Sequence, residues 1–560
     1  MFKKTDPNPQ LDIFTAPSMQ LGSRASKKYS DPNAWHNQFY SLVTTKINEE
    51  IFKPLFPEGK KCGRPNASIR ILVAMSALKE GFGCSDEDLF EKCEFDLLTR
   101  KALGMELLTD VTPSIDTYYL FRRRICEYQE RTGIDLMQLC FEQLAGNQVR
   151  LLKISGKCVR MDSKLIGSNI ARQSRYELIH TTLVKFLKTC TLTHLSPEQE
   201  ERAKEYLKED SSKTVYRSDS DTLQSNLARI GNFIMEILAA FPANSPAHDL
   251  LQRLFDEQYV VMDGKAVLRD KKEVKADSLQ NPNDPDATYR AKNDQKVQGY
   301  VTNITETVEE GKPNIITSVQ VETAVFADCH FLQEAVENSE RVTDSTIEDL
   351  YADGAYQSPD NREFAKNHNA MQLKTGKMQG GCRWELIPHD EDGLTVREIA
   401  TGNTYEAVKA VTKQGSRKRW RIPWNNKTGW RYFEDKDIKA YQLRKQIESL
   451  PLEEQHKRNN VEAAMFQYSF HTRKGKTRYR GLLKHRMHAY SRCMWMNLRR
   501  MVIFQISTFQ RSIFALFGPI REAFGSFKAI SRKIFTSGAD CYVSLRMTTL
   551  ARLDSKYVPF

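Results

Sequence analysis

Three acids stand where their chemistry needs explaining. Asp162 lies in the middle of the apolar run VRMDSKLIG, Asp353 follows the apolar end of IEDLY in YADGAY, and Glu462 stands alone in KRNNVEAAMFQYSF ahead of a dense basic run. An aspartate inside a strand is disfavoured by propensity and costly when buried without a partner, so a cation should compensate it. Mg2+ is the natural one. Two divalent metals held roughly 3.5 to 4 Å apart by carboxylates serve in-line phosphodiester chemistry, one activating the attacking oxygen and the other stabilising the leaving oxygen. Three carboxylates would leave such a pair about one charge positive, which suits a phosphodiester. Each acid alone also has an ordinary reading. Asp162 could be capped by backbone or paired with Arg160, Asp353 could be a turn residue, and Glu462 could be the i, i+4 partner of Arg458.

The elements that must position these acids can be read from periodicity. GKCVRMDSKLIGSNIA predicts a strand carrying Asp162, through Val159, Met161, Leu165 and Ile166. KVQGYVTNITETV and NIITSVQVETAVF predict a hairpin around EEGKPN, and NPNDPDATYR reads as turn-forming. CHFLQEAVEN reads as a helix, IEDLYADGAY as a strand ending in a turn, SPDNREFAKNHN as a helix started by Pro, and NAMQLKT as a short strand. That order belongs to a mixed α/β sheet. NNVEAAMFQYSF is helical, with Val461, Met465 and Phe466 expected to dock it on the sheet. LLKHRMHAYSRCMWMNLRRMVIF is a further helix.

Ahead of the sheet, SIRILVAMSALKEGF has helical spacing, SDEDLFEKCEFDLL opens with a Ser85/Asp88 capping box, and two further helices follow, one carrying Arg122, Arg123 and Arg124. Residues 61–150 are expected to form a helical domain of helix-turn-helix character behind an arm at 1–60. Between the first strand and the hairpin, about residues 173–259 read as a helical insert. Residues 380–433, with CRWELIPH, GLTVREIA, RKRWRIPW and GWRYF, read as a strand-rich insert, and 501–560 as a basic amphipathic tail.

The net charge is +12, but Val411 to Arg500 holds 23 Lys+Arg against 7 Asp+Glu, an excess of 16 that exceeds the surplus of the whole chain. A field so concentrated implies a polyanion, nucleic acid being the commonest. Arg473, Lys474, Lys476, Arg478, Arg480 and Lys484 form its densest part. Interleaving with Tyr479, Trp420, Trp424 and Trp430 points the same way, because aromatic faces can stack on exposed bases. The 11 cysteines form no CxxC or zinc-ligand spacing and read as reduced thiols of a cytoplasmic protein. No apolar leader opens the chain, and the most apolar tail stretch is broken by Gln505, Gln510 and Arg511, so no membrane partner is expected.

MDSKLIGSNIA, YADGAY and KRNNVEAAMF followed by RYRGLLKHRMHAYSRCMWMNLRR resemble the three signature regions of bacterial insertion-sequence transposases of the DDE class. CGRPNASIRILVAMSALKEGFGCSDEDLFEKC and PSIDTYYLFRRRI resemble the helical N-terminal domain of the same proteins, and DPDATYRAK with GYVTNI the approach to their second strand. The resemblance runs in order from about Phe52 to Met501. It implies a ribonuclease H-like catalytic domain over 151–500, with an Asp on the first strand, an Asp after the fourth and a Glu on a later helix. Asp162, Asp353 and Glu462 would then be the catalytic acids holding two Mg2+, with Mn2+ as an alternative ion.

The resemblance also implies cleavage at element ends and transfer of the 3′-OH into target DNA. The implied partners are terminal inverted repeats and target DNA, bound by a homodimer associated with the nucleoid. Arg458 matches an Arg of the family four residues before the Glu. A related branch carries a Lys seven residues after the Glu, where this chain has Ser469; one of the downstream cations would take its phosphate-binding role. The rival readings are a structure-selective nuclease on the same fold and a transposase-derived DNA-binding protein without catalysis.

Overall fold

The computed structural model describes residues 2–5, 17–56, 65–191, 194–242, 245–292, 295–375, 382–389, 393–410, 419–424, 429–449, 451, 457 and 461–523, without the side chains of 18, 19, 424 and 509–523. Arg458 and residues 524–560 of the expected tail lie outside the described residues. The chain is mixed α/β, and one six-stranded sheet organises it.

The strands in chain order are β1 (Cys158–Gly167), β2 (Tyr259–Met262), β3 (Lys265–Leu268), β4 (Thr288–Lys292), β5 (Gln295–Thr307), β6 (Ile316–Thr323), β7 (Asp349–Ala352) and β8 (Gln372–Thr375). β1 is central. It runs antiparallel to β5 from Val159 opposite Thr307 to Gly167 opposite Gly299, and parallel to β7 with Cys158 opposite Asp349. β7 pairs in parallel with β8, while β6 and β4 share the far edge of β5 end to end. β4 corrects the sequence reading: the Pro and Asn signals of NPNDPDATYR mark a turn, but Thr288–Lys292 beyond them extends along the start of β5. β1 and β5 approach so closely that a Cβ on Gly299 would sit 2.3 Å from the Ile166 carbonyl oxygen. Only glycine fits there.

The alternation of β1 assigns its two faces. Val159 and Met161 pack with Val301 against Leu332, Ala335 and Val336 of the helix Leu332–Thr343 and Ala365 of Pro359–Asn367. Residues 160, 162, 164 and 166 face the other way. That side is covered by the helix Val461–Ser469, the long helix Leu482–Ala523 and the N-terminal helices. Ile166, Tyr300 and Ile304 share one continuous core with Phe39, Val73, Leu78, Phe141, Met465 and Trp495.

The N-terminal helices include Trp35–Leu42, Ile69–Phe82, Asp86–Phe95, Leu97–Leu103, Ile115–Thr132 and Leu136–Leu152. Their starts follow local chemistry. Ser85 and Asp88 close a reciprocal capping box, and Ser68, Ser114 and Asp135 cap neighbouring helices with side-chain oxygens. Gly83, at φ 66°, ends Ile69–Phe82 in the left-handed conformation. Two residues earlier, the bare backbone of Gly81 lets the Trp495 ring of the long helix lie against it; an added Cβ would fall 2.3 Å from that ring.

Two further units carry their own cores. Between β1 and β4, five helices from Arg175–Leu187 to Pro246–Gln258, with the β2–β3 hairpin, bury Ile179, Leu183, Phe233, Ile234 and Leu254. After β8, five antiparallel strands follow in order: β9 (Trp384–His389), β10 (Gly393–Glu398), β11 (Thr404–Lys409), β12 (Arg419–Trp424) and β13 (Gly429–Glu434). Their inner face buries Leu386, Val396, Trp420 and Ile422, closed by Ile438 and Tyr441 of the helix Asp435–Glu448. Nine described cysteines are free thiols. No described helix is long and apolar enough to cross a membrane.

Candidate functional site

Asp162 is fifth on β1. The parallel register runs from Cys158 opposite Asp349 to Arg160 opposite Tyr351; extended two residues along both chains it would set Asp162 beside Asp353, whose charge reaches it. Asp353 follows β7 directly and begins the short turn Gly354–Tyr356. The two carboxylates therefore stand at neighbouring places on one face, Asp162 in the middle of β1 and Asp353 just past the end of the parallel strand β7. Asp162 Oδ1 accepts from Ser163 N–H at 2.8 Å, and Asp353 Oδ1 from Gly354 N–H at 2.7 Å. Burial pushes the Asp162 carboxyl up to about 6; the Ser163 hydrogen bond opposes that rise and the like charge of Asp353 adds to it. Two acids that repel each other in a half-buried place are a demand for positive charge.

Arg160 does not meet that demand. It is buried and bound to Glu306, directly opposite on β5, at 2.5 Å, while Arg500 of the long helix approaches the same carboxylate at 2.7 Å. Its remaining nitrogen donates to the Lys457 carbonyl at 2.8 Å, tying β1 to the chain just ahead of Glu462. Nearby charges that sequence reasoning missed are Asp328, Arg290 and Lys292. Asp328 is buried and bridges to Arg290 at 3.0 Å and Lys292 at 3.5 Å, and its charge and that of Lys292 both reach Asp162. The signal was the cationic end of TYRAK, hidden by the turn-rich residues before it. Tyr356 donates to Asn303 Oδ1 at 2.7 Å and supports the Asp353 turn from behind.

Glu462 sits in the first turn of Val461–Ser469, which lies across β1 and β5. Val461, Ala464, Met465 and Tyr468 form its buried stripe, and Tyr468 hydroxyl meets Thr302 Oγ1 at 3.1 Å. Phe466, expected to dock the helix, is 63% exposed, because the stripe at positions 461, 464, 465 and 468 turns position 466 away. Glu462 is exposed on the flank of that stripe. Among the described residues no three His, Cys, Asp or Glu side chains converge closely enough to hold a metal ion. The structure thus brings Asp162 and Asp353 together and leaves Glu462 outside their immediate group. The oxygen donors suit a hard divalent cation in kind, and the paired aspartates supply two of the three expected ligands.

The last residue of this helix reaches back to β1. Lys164, two positions beyond Asp162 and on the same face, donates from Nζ to Ser469 Oγ at 2.7 Å. Ser469 in turn donates to the Met465 carbonyl at 3.0 Å.

The basic run forms a loop along the end of β1. Gly167 N–H donates to the Gly475 carbonyl at 2.8 Å, Thr477 N–H to Gly167 at 3.0 Å, and Asn169 N–H to Tyr479 at 3.0 Å. Lys476 donates to the Ile170 carbonyl, Arg478 to Gly83 and Arg480 to Asn169, at 2.6, 2.8 and 2.7 Å. Arg473, Lys474 and Lys484 are exposed, and Lys474 holds φ 52°. Of the earlier arginines, Arg122 is stacked against Tyr118 and Tyr479, Arg123 pairs with Glu127 at 3.4 Å, and Arg124 lies over Phe56.

The aromatic interleaving is corrected in part. Tyr479 and Trp420 are buried, at 9% and 3%, and serve cores; Trp430 is 49% exposed, with Arg421 4.2 Å from its ring centre. The Trp424 side chain lies outside the described residues.

The loop and the long helix together clamp the N-terminal helices. The last carbonyls of Ile69–Phe82 receive Arg492 at Glu80, 2.8 Å, His471 at Gly81, 3.1 Å, and Arg478 at Gly83. Cations at a helix C-terminus satisfy its unpaired carbonyls and its dipole together. Glu80 itself is bound by His488 at 2.7 Å and by the Tyr479 hydroxyl. Burial alone would raise its pKa; His488, Lys79 and Tyr479 outweigh burial and hold it at about 2.

Neither curated proteins nor solved structures give a match to this chain. Residues 28–124, from ahead of the helix Trp35–Leu42 to Arg124 within the helix Ile115–Thr132, match the family described as Transposase domain (DUF772), and that match supports a transposase family for the chain.

Proposed function

We propose that the protein is a DNA transposase of the DDE class with a ribonuclease H-like catalytic domain. The observation that carries this reading is the proximity of Asp162, in the middle of β1, to Asp353, just past the end of the adjacent parallel strand β7. In the large sheet, β1 carries the first acid. β4, β5, β6 and β7 follow, so the second acid comes after the fifth strand of the sheet in chain order, or after the fourth if β4 is counted with β5, which it precedes and pairs with. The similarity of residues 28–124 to a transposase domain agrees with it.

Asp162 and Asp353 would hold Mg2+, or Mn2+ in its place, and Glu462, which stands outside their immediate group, would have to be drawn toward them to serve as the third ligand; when bound, the ion would supply activation of an attacking oxygen and stabilisation of a leaving one. The chain's own groups do the rest. Ser163 and Gly354 N–H fix the two aspartates, and the helix Val461–Ser469 carries Glu462 over the same face. Exposed Arg473, Lys474 and Lys484 meet phosphates of the DNA. A water attack would expose a 3′-OH at the element end, and that hydroxyl would then attack target DNA, with two copies of the chain pairing the two ends.

Labelled DNA spanning the ends that flank the coding frame, incubated with protein and Mg2+, tests the reading. Nicked and joined products support transposition, nicking alone supports a nuclease, and retarded mobility without cleavage supports a DNA-binding protein. Full cleavage by Asp353→Asn would overturn the proposed acids.

A further inference from the structure

Lys164 and Arg160 each lie two positions from Asp162 on its own face, and Arg160 is already bound to Glu306. Successive same-face positions on a strand are roughly 7 Å apart, so the Lys164 backbone lies one such step beyond Asp162. Its side chain is half-buried under the end of the Glu462 helix. The hydrogen bond it makes there is to the Ser469 hydroxyl, a neutral partner. Among the described residues no carboxylate lies within ion-pair distance of it.

That arrangement is costly as a structural pin. Burial opposes the Lys164 charge more than the attraction of Asp162 supports it, the bonded hydroxyl is neutral, and a neutral donor would fasten the helix as well. The hydroxyl is also oriented for the lysine. Ser469 spends its proton on the Met465 carbonyl at 3.0 Å, so its lone pairs face the ammonium. An ammonium has three donors, and the bond to Ser469 uses one. The cations of the downstream loop at Lys476, Arg478 and Arg480 are engaged with carbonyls of Ile170, Gly83 and Asn169 and serve loop geometry.

We propose that Lys164 is the phosphate-binding residue of the Asp162 site, held by Ser469 so that its remaining donors grip a backbone phosphate of the strand being cut. The inference rests on the reading of the protein as a DNA-cleaving enzyme and assigns that site's contact to the strand. The charge comes from β1 itself, so the first acid and the phosphate grip move as one rigid element, and Ser469 couples both to the helix of Glu462.

Lys164→Gln removes the charge and keeps a donor for Ser469, and Lys164→Arg keeps the charge. Binding of duplex DNA from the coding-frame flanks is measured over a salt series, with cleavage in Mg2+ alongside. Lys164→Gln is expected to weaken binding roughly tenfold and to lower the salt slope by about one, with Lys164→Arg restoring the slope. Neutral methylphosphonate, walked one position at a time along the strand being cut, should reproduce the loss for the wild-type protein at one position and add nothing to Lys164→Gln there. Wild-type cleavage with an unchanged slope in Lys164→Gln overturns the lysine assignment alone. Failure of the wild-type protein both to bind and to cut overturns the functional reading and this proposal with it.

Discussion

Replacing Glu80 by Gln should loosen the junction of the N-terminal helices with the basic loop and the long helix. Glu80, its side chain 12% exposed, accepts from Tyr479 and His488 and lies next to Lys79 in sequence. A carboxyl held at about 2 in place of its ordinary 4.5 contributes roughly 3 kcal/mol to the folded junction. Because the folded value is depressed, that contribution is complete above pH 4.5 and is lost as the pH falls toward 2. At pH 7 the opening equilibrium of the junction should rise by about two decades in Glu80→Gln. Hydrogen exchange reads it directly, through the amides of Ile69–Phe82 and of 471–481. The wild-type protein should lose protection in the same segments between pH 4.5 and 2, and the mutant should show little further change there. Unchanged exchange at pH 7 in both segments would refute the reasoning.

Other perturbations have equally definite outcomes. Arg160→Met leaves Glu306 with Arg500 alone and frees the Lys457 carbonyl, so the urea midpoint should fall by the equivalent of roughly 3 kcal/mol. Gly81→Ala drives a methyl into the Trp495 ring and should cost roughly 1 to 3 kcal/mol, most of it recovered when Trp495 is shortened to Leu in the same chain. Mg2+ at about 100 times its Kd should stabilise the protein by roughly 2.7 kcal/mol. Asp162→Asn should abolish that gain in a thermal melt without unfolding the chain.

Much of the architecture was legible because local signals agree with it. The Ser85 capping box, the apolar alternation of β1 and the hairpin of β5 and β6 are short-range patterns, and each formed as its residues dictate. The pairing of Asp162 with Asp353 needs the β1–β7 register, which joins residues 191 apart, and no window of sequence contains it. Burial misled at Tyr479, Trp420 and Phe466. Charge density around an aromatic residue does not reveal which face of its element is covered, so two expected stacking residues lie inside and one expected anchor lies outside. Asp328 escaped notice because its partners Arg290 and Lys292 come from another strand.

The contact of Trp495 with Gly81 and Phe82 has a consequence for how the chain is made. Residues 82 and 495 are separated by 413 positions, so at a synthesis rate of about 5 to 20 residues per second the N-terminal helices wait roughly 20 to 80 s for their cover. During that interval Trp35, Phe39 and Phe82, which end up beneath the long helix, remain open to solvent or to other nascent chains. Chains stopped before the long helix should therefore be the sticky products of this gene, and chaperone occupancy on the ribosome should fall only after residue 495 has left the exit tunnel.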